Sequence, residues 1–129
     1  MDKASIILRL KTLAFDTNEY WVIAGAALVL HGLRKETADI DLACTKELFS
    51  CLLLQGYVWE KNELGYRKIS LEDDIEIFEE WHVGEIVFIE GIPIASLRGI
   101  KEMKIQMGRD KDLQDIRLID DVQKRITRS

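Results

Sequence analysis

The sequence predicts a mixed α/β (α+β) fold, in which helices flank a mixed β-sheet and the C-terminal end is helical. Apolar residues recur at helical spacing near both ends of the chain, and short β-branched or aromatic runs lie between them. The length of 129 residues, with 47% hydrophobic and 32% charged residues, suits one globular domain over residues 1–129. A chain of this size can bury roughly two thirds of its unfolded surface.

The first third of the chain predicts a helix, a strand and a second helix. Residues Ser5–Phe15 have apolar side chains at helical spacing. Tyr20–Ala24 is short, aromatic and β-branched, which is typical of a buried strand. Gly25 follows, and Ala26–His31 predicts a short buried helix that ends at Gly32.

The next elements are a strand and a capped helix. Residues Ala38–Ala43 alternate strictly between apolar and acidic or small side chains, which predicts a strand with Ala38, Ile40 and Leu42 facing the core. Thr45 is a suitable N-cap for a helix from Lys46 to about Leu54, closed by Gly56.

The middle of the chain predicts a run of strands. Tyr57–Trp59 and Tyr66–Ser70 resemble paired strands around a turn, and Asp74–Glu79 alternates again. Glu85–Ile89 and Ile92–Ala95 flank a Glu-Gly pair, which is typical of a hairpin.

Two helices and a positive local charge are predicted for the C-terminal segment. Ser96 is placed to cap a helix to Met107, and Asp110 to cap a helix from Lys111 to about Arg125. Residues 98–129 hold nine basic and six acidic residues, whereas the whole chain has a net charge of -5. Such a basic segment beside an acidic body could bind an anion that also carries a metal ion.

Composition excludes several other classes of protein. Two cysteines, Cys44 and Cys51, cannot form a disulfide framework or a four-ligand zinc site by themselves. No stretch approaches 18 apolar residues, and the N-terminus lacks the pattern of a signal peptide. We therefore expect a cytoplasmic protein that does not act at a membrane.

Asp39 and Asp41 form the first candidate site. Residues i and i+2 of a strand point to one face, about 6.6 Å apart along the chain, so both carboxylates would project together. Two like charges so placed favour a bound cation, and oxygen ligands suit Mg²⁺ or Mn²⁺. The alternative is an amphipathic strand with a solvated acidic face.

Glu76 is the candidate third carboxylate. The segment Glu72–Glu80 is mostly acidic, and a charge run is usually a solvated surface, but Glu76 lies between two isoleucines and so belongs to a defined strand face. Asp74 lies on the same predicted face and competes for the role. If this strand pairs beside Asp39 and Asp41, three carboxylates converge as two-metal phosphoryl or nucleotidyl transfer requires.

Candidate phosphate contacts lie on both sides of the acidic motif. Gly25 at a strand-to-helix turn would allow close approach of a phosphate, and Arg34 and Thr37 add a positive charge and a hydroxyl. Lys104 and Arg109 could contact phosphates from the C-terminal segment. The alternatives are a glycine that only permits the turn, and solvated surface cations.

Together, Tyr20–Leu42 resembles the signature of the DNA polymerase beta-type nucleotidyltransferase superfamily: a strand ending in Gly-Gly or Gly-Ser, a short helix, then a strand carrying Asp-x-Asp. Residues Lys104–Ile116 are similar to the helical end of small bacterial nucleotidyltransferase-like proteins, including those of the abortive-infection toxin type. The resemblance implies that fold for the whole chain. This sequence departs from the family pattern in having one glycine, Gly25, flanked by alanines.

The resemblance implies roles for individual residues. Asp39 and Asp41 would be metal ligands, and Glu76 would take the third carboxylate position, which is more often Asp. Gly25, with Ala24 or Ala26 beside it, would form the phosphate-facing turn. Basic side chains near the nucleotide phosphates would be Lys104 and Arg109.

The function implied is transfer of a nucleoside monophosphate from a nucleoside triphosphate to an acceptor hydroxyl, with two Mg²⁺ or Mn²⁺ ions. The acceptor could be a small molecule, a tRNA or a protein, and a homodimer or partner protein could complete its site. The alternative is a catalytically weak or inactive binding or regulatory module on the same fold, such as a toxin–antitoxin component. A third hypothesis is an acidic domain whose carboxylates are only a solvated surface.

Overall fold

The protein consists of a seven-stranded mixed β-sheet with flanking helices. This architecture comes from a computed structural model that describes residues 1–128. The described helices are α1 (Lys3–Leu13), α2 (Ala24–Leu30), α3 (Lys46–Leu54), α4 (Leu97–Met107) and α5 (Asp110–Arg128). The strands are β1 (Tyr20–Ile23), β2 (Ile40–Cys44), β3 (Trp59–Lys61), β4 (Arg67–Glu72), β5 (Ile75–Glu79), β6 (Ile86–Ile89) and β7 (Ile92–Ala95). The predicted mixed fold with a helical C-terminal end is confirmed.

The strand order is β3-β4-β5-β2-β1-β7-β6, and the core is built around its middle. β1 is buried along its whole length, pairing antiparallel with β2 and parallel with β7. β2 in turn pairs parallel with β5. These central strands are rich in Ile, Val, Leu and Ala because both faces of the sheet are covered there.

Two of the three predicted caps are confirmed at their helices. The Thr45 side chain accepts a hydrogen bond from the backbone N–H of Leu48 at 3.3 Å, and Ser96 accepts one from Gly99 at 3.0 Å. Each bond satisfies a backbone donor that the first turn of a helix leaves free. Asp110, predicted as the third cap, is instead the first residue of α5.

The strand predicted at Tyr57–Trp59 is displaced toward the C-terminus. β3 runs from Trp59 to Lys61, because its register with β4 pairs Trp59 with Ile69 and Lys61 with Arg67. Pairing, rather than local β propensity, therefore sets the bounds of this edge strand. Ala38, expected to face the core, is exposed because β2 begins only at Ile40.

α2 begins earlier than the sequence predicts. The turn from β1 into α2 occurs at Ala24, whose φ of +57° lies in the left-handed region, so Gly25 is already helical. None of the helices in residues 1–128 is both long and apolar enough to cross a membrane.

Candidate active site

Asp41 and Glu76 are neighbours across two parallel strands. The β2–β5 register places Asp41 opposite Glu76, and Asp39 lies just before β2 begins. The strand pairing on which the three-carboxylate hypothesis depends is therefore present. All three residues line one cavity of about 710 Å³.

Asp74, the competing candidate, lies elsewhere. Its carboxylate accepts hydrogen bonds from Arg9 of α1, with Nε at 3.3 Å from Oδ2 and Nη2 at 3.4 Å from Oδ1. Arg9 also pairs with Glu72, 2.6 Å from its Oε2. Asp74 thus helps to attach α1 to the β4–β5 turn, and it is absent from the lining of the cavity.

The acidic side chains affect one another electrostatically. Burial, then the charges of Glu76 and Asp39, raise the pKa of Asp41 to about 6, against an opposing effect of Lys104 and Lys68. A carboxyl group that is harder to ionise gains most from a cation placed between it and its acidic neighbours. The repulsion that the sequence predicts is therefore present at Asp41.

Lys68 is a site residue that the sequence analysis missed. Its Nζ lies 3.3 Å and 3.4 Å from the two carboxylate oxygens of Glu76, and 3.6 Å from Oε1 of Glu60. Although burial by itself lowers the pKa of Lys68, these carboxylates raise it overall. The alternation of Lys68 with the buried Ile69 in β4 was the available signal, since it places the lysine on a defined face of the sheet.

Gly25 lies at the cavity wall under two polar side chains. A Cβ atom at Gly25 would lie 2.9 Å from Nη1 of Arg34 and 3.1 Å from Oγ1 of Thr37. Both side chains therefore use space that the glycine leaves, and all three residues line the cavity. Ala26, the remaining candidate in this turn, is 1% exposed within the core and does not line the cavity.

Lys104 and Arg109 also line the cavity, but an acidic side chain already engages both. Lys104 Nζ lies 3.3 Å from Oδ1 of Asp112 and 3.1 Å from Oδ2 of Asp115. Arg109 donates to Asp112 from Nε at 2.7 Å, from Nη2 at 3.1 Å and from its backbone N–H at 3.1 Å. Burial by itself would raise the pKa of Asp112, but the hydrogen bonds from Arg109 and the charge of Lys104 lower it.

The β3–β4 hairpin supplies another wall of the cavity, through residues 60–64. Within it, Asn62 Oδ1 accepts hydrogen bonds from the backbone N–H groups of Leu64 at 3.0 Å and Tyr66 at 2.9 Å, which hold the turn. The cavity wall thus contains six acidic and six basic residues, which are Asp39, Asp41, Glu60, Glu63, Glu76, Asp115, Arg34, Lys61, Lys68, Lys104, Arg109 and Lys111.

The donor set at the acidic wall fits a divalent cation in its chemistry. Asp39, Asp41 and Glu76 offer only oxygen ligands, which suits Mg²⁺ or Mn²⁺, and the pKa of Asp41 is raised first by burial and then by its acidic neighbours. Among residues 1–128, however, no three acidic, histidine or cysteine side chains are already gathered into a metal-binding cluster. The cation nearest to Glu76 is the ammonium group of Lys68.

Comparison with known proteins supports the fold. No protein-family profile and no curated protein matches the sequence. Among solved structures, the chain is similar to the crystal structure of ANT(2")-Ia in complex with adenylyl-2"-tobramycin, with a TM-score of 0.55 and 19% identity. The match covers 89% of this chain and 86% of that one. The chain therefore has a nucleotidyltransferase-like fold.

Proposed function

We propose that this protein is a nucleotidyltransferase that moves a nucleoside monophosphate from a nucleoside triphosphate to an acceptor hydroxyl. The observation that carries the proposal is that Asp41 and Glu76 lie opposite each other on two adjacent parallel strands, with Asp39 just before the first of them, and that all three line one large cavity. The fold shared with a protein whose structure contains an adenylylated molecule supports the same reaction class.

In this proposal the carboxylates have distinct roles. Asp39 and Asp41 would hold both divalent ions, and Glu76 would hold one of them. Bound Mg²⁺ or Mn²⁺ would neutralise the phosphate charge and lower the pKa of the acceptor hydroxyl. Glu76 accepts the hydroxyl proton, the acceptor oxygen bonds to the α-phosphorus, and the bond from that phosphorus to the bridging oxygen breaks to release pyrophosphate.

Basic residues of the cavity would bind the triphosphate. Arg34 and Thr37, which lie over Gly25, would contact phosphate oxygens from the β1–α2 side. Lys104 and Arg109 would do so from the α4–α5 side, held in place by Asp112. Lys111, which is exposed on the same wall, supplies a further positive charge.

The acceptor is proposed to enter between the acidic wall and the β3–β4 hairpin. The cavity-lining residues 60–64 of this hairpin carry Glu60 and Glu63 against Lys61, and this net negative charge favours a cationic, hydroxyl-bearing small molecule. The solved neighbour was crystallised with adenylyl-2"-tobramycin, an adenylylated amino sugar, which is consistent with this chemistry. A tRNA end, a protein side chain, or a site completed by a homodimer or partner protein are the other acceptor arrangements to test.

The reaction is tested by label transfer. The full-length protein is incubated with each α-labelled nucleoside triphosphate, Mg²⁺ and a cell extract, and the molecule that acquires the label is identified. We expect labelling that requires Mg²⁺ and is absent from the Asp41→Asn variant. The same label transferred by that variant would contradict the proposed site.

Nucleotide binding tests the metal ligands separately. Replacing Asp39 or Asp41 with Ala removes a carboxylate from the proposed ion site, so calorimetry should show loss of Mg²⁺-dependent ATP binding in each variant. Circular dichroism should show little change in fold, because neither side chain belongs to the apolar core. Unchanged Mg²⁺–ATP affinity in both variants would refute the assignment.

A second candidate function is a nucleotide-binding module without turnover, such as one component of a toxin–antitoxin pair. The observation that favours it is Lys68, whose ammonium group already neutralises Glu76. This function predicts ATP binding with no label transfer to any component of the extract. The size of the cavity and the three carboxylates at its wall favour the enzyme.

A further inference from the structure

We infer that Lys68 is a built-in counter-ion of the carboxylate site, which a divalent cation must displace from Glu76 before it can bind there. The inference rests on the proposed function in that it assigns a cation to Glu76. It adds a positioning residue, Lys68, on a strand that carries none of the proposed ligands.

The geometry of the ion pair supports competition for the same oxygens. Lys68 Nζ lies nearly equidistant from Oε1 and Oε2 of Glu76, at 3.3 Å and 3.4 Å. The ammonium group therefore engages both oxygens through which Glu76 could bind a metal ion. A lysine charge and a divalent cation repel each other, so both are unfavourable on one carboxylate.

The pairing of β4 with β5 places Lys68 next to Glu76 on the same face of the sheet. Ser70 is the β4 residue opposite Glu76, and Lys68 lies two residues before it on the same face. The side chain of Lys68 is 20% exposed and that of Glu76 is 38% exposed. The pair is thus partly shielded from solvent, and it interacts more strongly than two fully exposed side chains would.

Glu60 provides an alternative partner for the displaced lysine. It lies directly opposite Lys68 in the β3–β4 register, and its Oε1 is already 3.6 Å from Nζ. Glu60 is 70% exposed, so it loses little hydration when the lysine moves closer. Displacement from Glu76 therefore leaves the ammonium group paired and inside the same cavity.

The test compares Mn²⁺ affinity in two charge-matched variants of the full chain, without nucleotide. Lys68→Met removes the competing charge and keeps an unbranched stem, so we expect Mn²⁺ to bind about fivefold more tightly. Lys61→Met removes the same charge from a residue that lines the cavity on the neighbouring strand, and its effect should stay below twofold. Equal effects in both variants, no change in Lys68→Met, or no measurable Mn²⁺ binding to Lys68→Met would overturn the inference.

A second measurement is made on the parent sequence, and variants serve only to assign its signals. Lysine amines are ¹³C-dimethylated, and the Lys68 signal is assigned by its absence from Lys68→Arg. Titration with diamagnetic Mg²⁺ should shift the Lys68 signal and leave that of Lys61 in place; a Lys68 signal that does not move would contradict displacement. Label transfer tests the proposed reaction, whereas the difference in Mn²⁺ affinity between Lys68→Met and Lys61→Met tests Lys68. Absence of Mn²⁺ binding in both variants would count against the ion site itself.

Discussion

Ala24 carries the turn from β1 into α2 with a φ of +57°, a conformation that glycine adopts far more readily. The residue after it, Gly25, is helical, and the absence of a Cβ there lets the side chains of Arg34 and Thr37 approach the backbone closely. The two small residues of this turn thus differ: Ala24 is strained, and Gly25 lies under polar side chains. One residue sets the backbone path, and the other sets the surface of the cavity.

The strain at Ala24 predicts that a substitution there by glycine increases the free energy of unfolding. Ala24→Gly should stabilise the protein by up to about 1 kcal/mol, because the left-handed conformation costs alanine about 1–2 kcal/mol and glycine entropy offsets part of the gain. Urea denaturation measures the free energy of unfolding. Ala26→Gly is the matched control, since it makes the same change inside α2 and should destabilise by about 1 kcal/mol. Destabilisation by both changes would show that Ala24 is not strained.

The raised pKa of Asp41 predicts how stability depends on pH without metal. The pKa of the Asp41 carboxyl is raised to about 6 in the folded protein, whereas the unfolded chain releases this proton near the ordinary pKa of 3.8. Stability from this group is therefore fully present below pH 3.8 and is lost as pH rises through 6, by up to about 3 kcal/mol. Asp41→Asn should remove this loss between pH 4 and 7 in EDTA. A variant with the same pH profile as the parent would contradict the shift.

At the scale of elements, the junction between α4 and α5 is held by one buried carboxylate. The Asp112 side chain is 1% exposed, and it contacts Lys104 of α4 as well as the side chain and backbone of Arg109. Two cations that would otherwise repel each other are thereby held at the cavity wall. Asp112 therefore links the stability of this helix pair to the proposed phosphate site.

Replacing Asp112 with Asn should cost roughly 1.5–3 kcal/mol of stability, because Arg109 loses its charged partner and Lys104 keeps only Asp115. Thermal and urea denaturation measure the loss. Asp110→Asn changes an exposed carboxylate in the first turn of the same helix and should cost about 0.5 kcal/mol or less. Because the pKa of Asp112 is lowered, its contribution should disappear in the parent protein as the pH falls below 3.8. Equal losses in the two variants would argue against a role for Asp112 in the junction.

At the scale of the whole molecule, the cavity is assembled from both ends and the middle of the chain. The β1–α2 turn, the β3–β4 hairpin, β5 and the α4–α5 junction each supply part of its lining. A ligand that bridges these parts stabilises the folded state by mass action. Binding should therefore be measurable as a change in melting temperature.

We expect Mg²⁺–ATP at 100 times its Kd to raise the melting temperature by about 10 °C, from a stabilisation of about 2.7 kcal/mol in a domain of this size. ATP with EDTA should give a much smaller shift, because the proposed ions would be missing. Differential scanning fluorimetry measures both shifts. Equal shifts with and without Mg²⁺ would contradict a metal-dependent nucleotide site.

The sequence by itself determined the element types and the strand position of Asp41 and Glu76. Periodicity and caps such as Thr45 are local properties, and they predict α3 with its observed bounds, whereas β2 begins two residues later than predicted and α2 begins two residues earlier. The tertiary structure decided which carboxylates meet: it joined Glu76 to Asp41 and paired Asp74 with Arg9. These contacts link residues 35 and 65 positions apart: the β2–β5 register sets the first, and the position of α1 beside the β4–β5 turn sets the second.

The same reason explains what local patterns missed. The contact of Lys68 with Glu76 depends on the pairing of β4 with β5, and the strained turn at Ala24 depends on how α2 packs between the sheet and α4. In the sequence, nothing distinguishes Asp112 from other acidic residues near a helix start. Its burial beside Lys104 follows from the packing of α4 against α5. Local sequence preferences determine the helices and strands, whereas long-range packing determines which charged side chains line the cavity. The reason is that a charge interacts with any group that the fold places within a few ångströms of it.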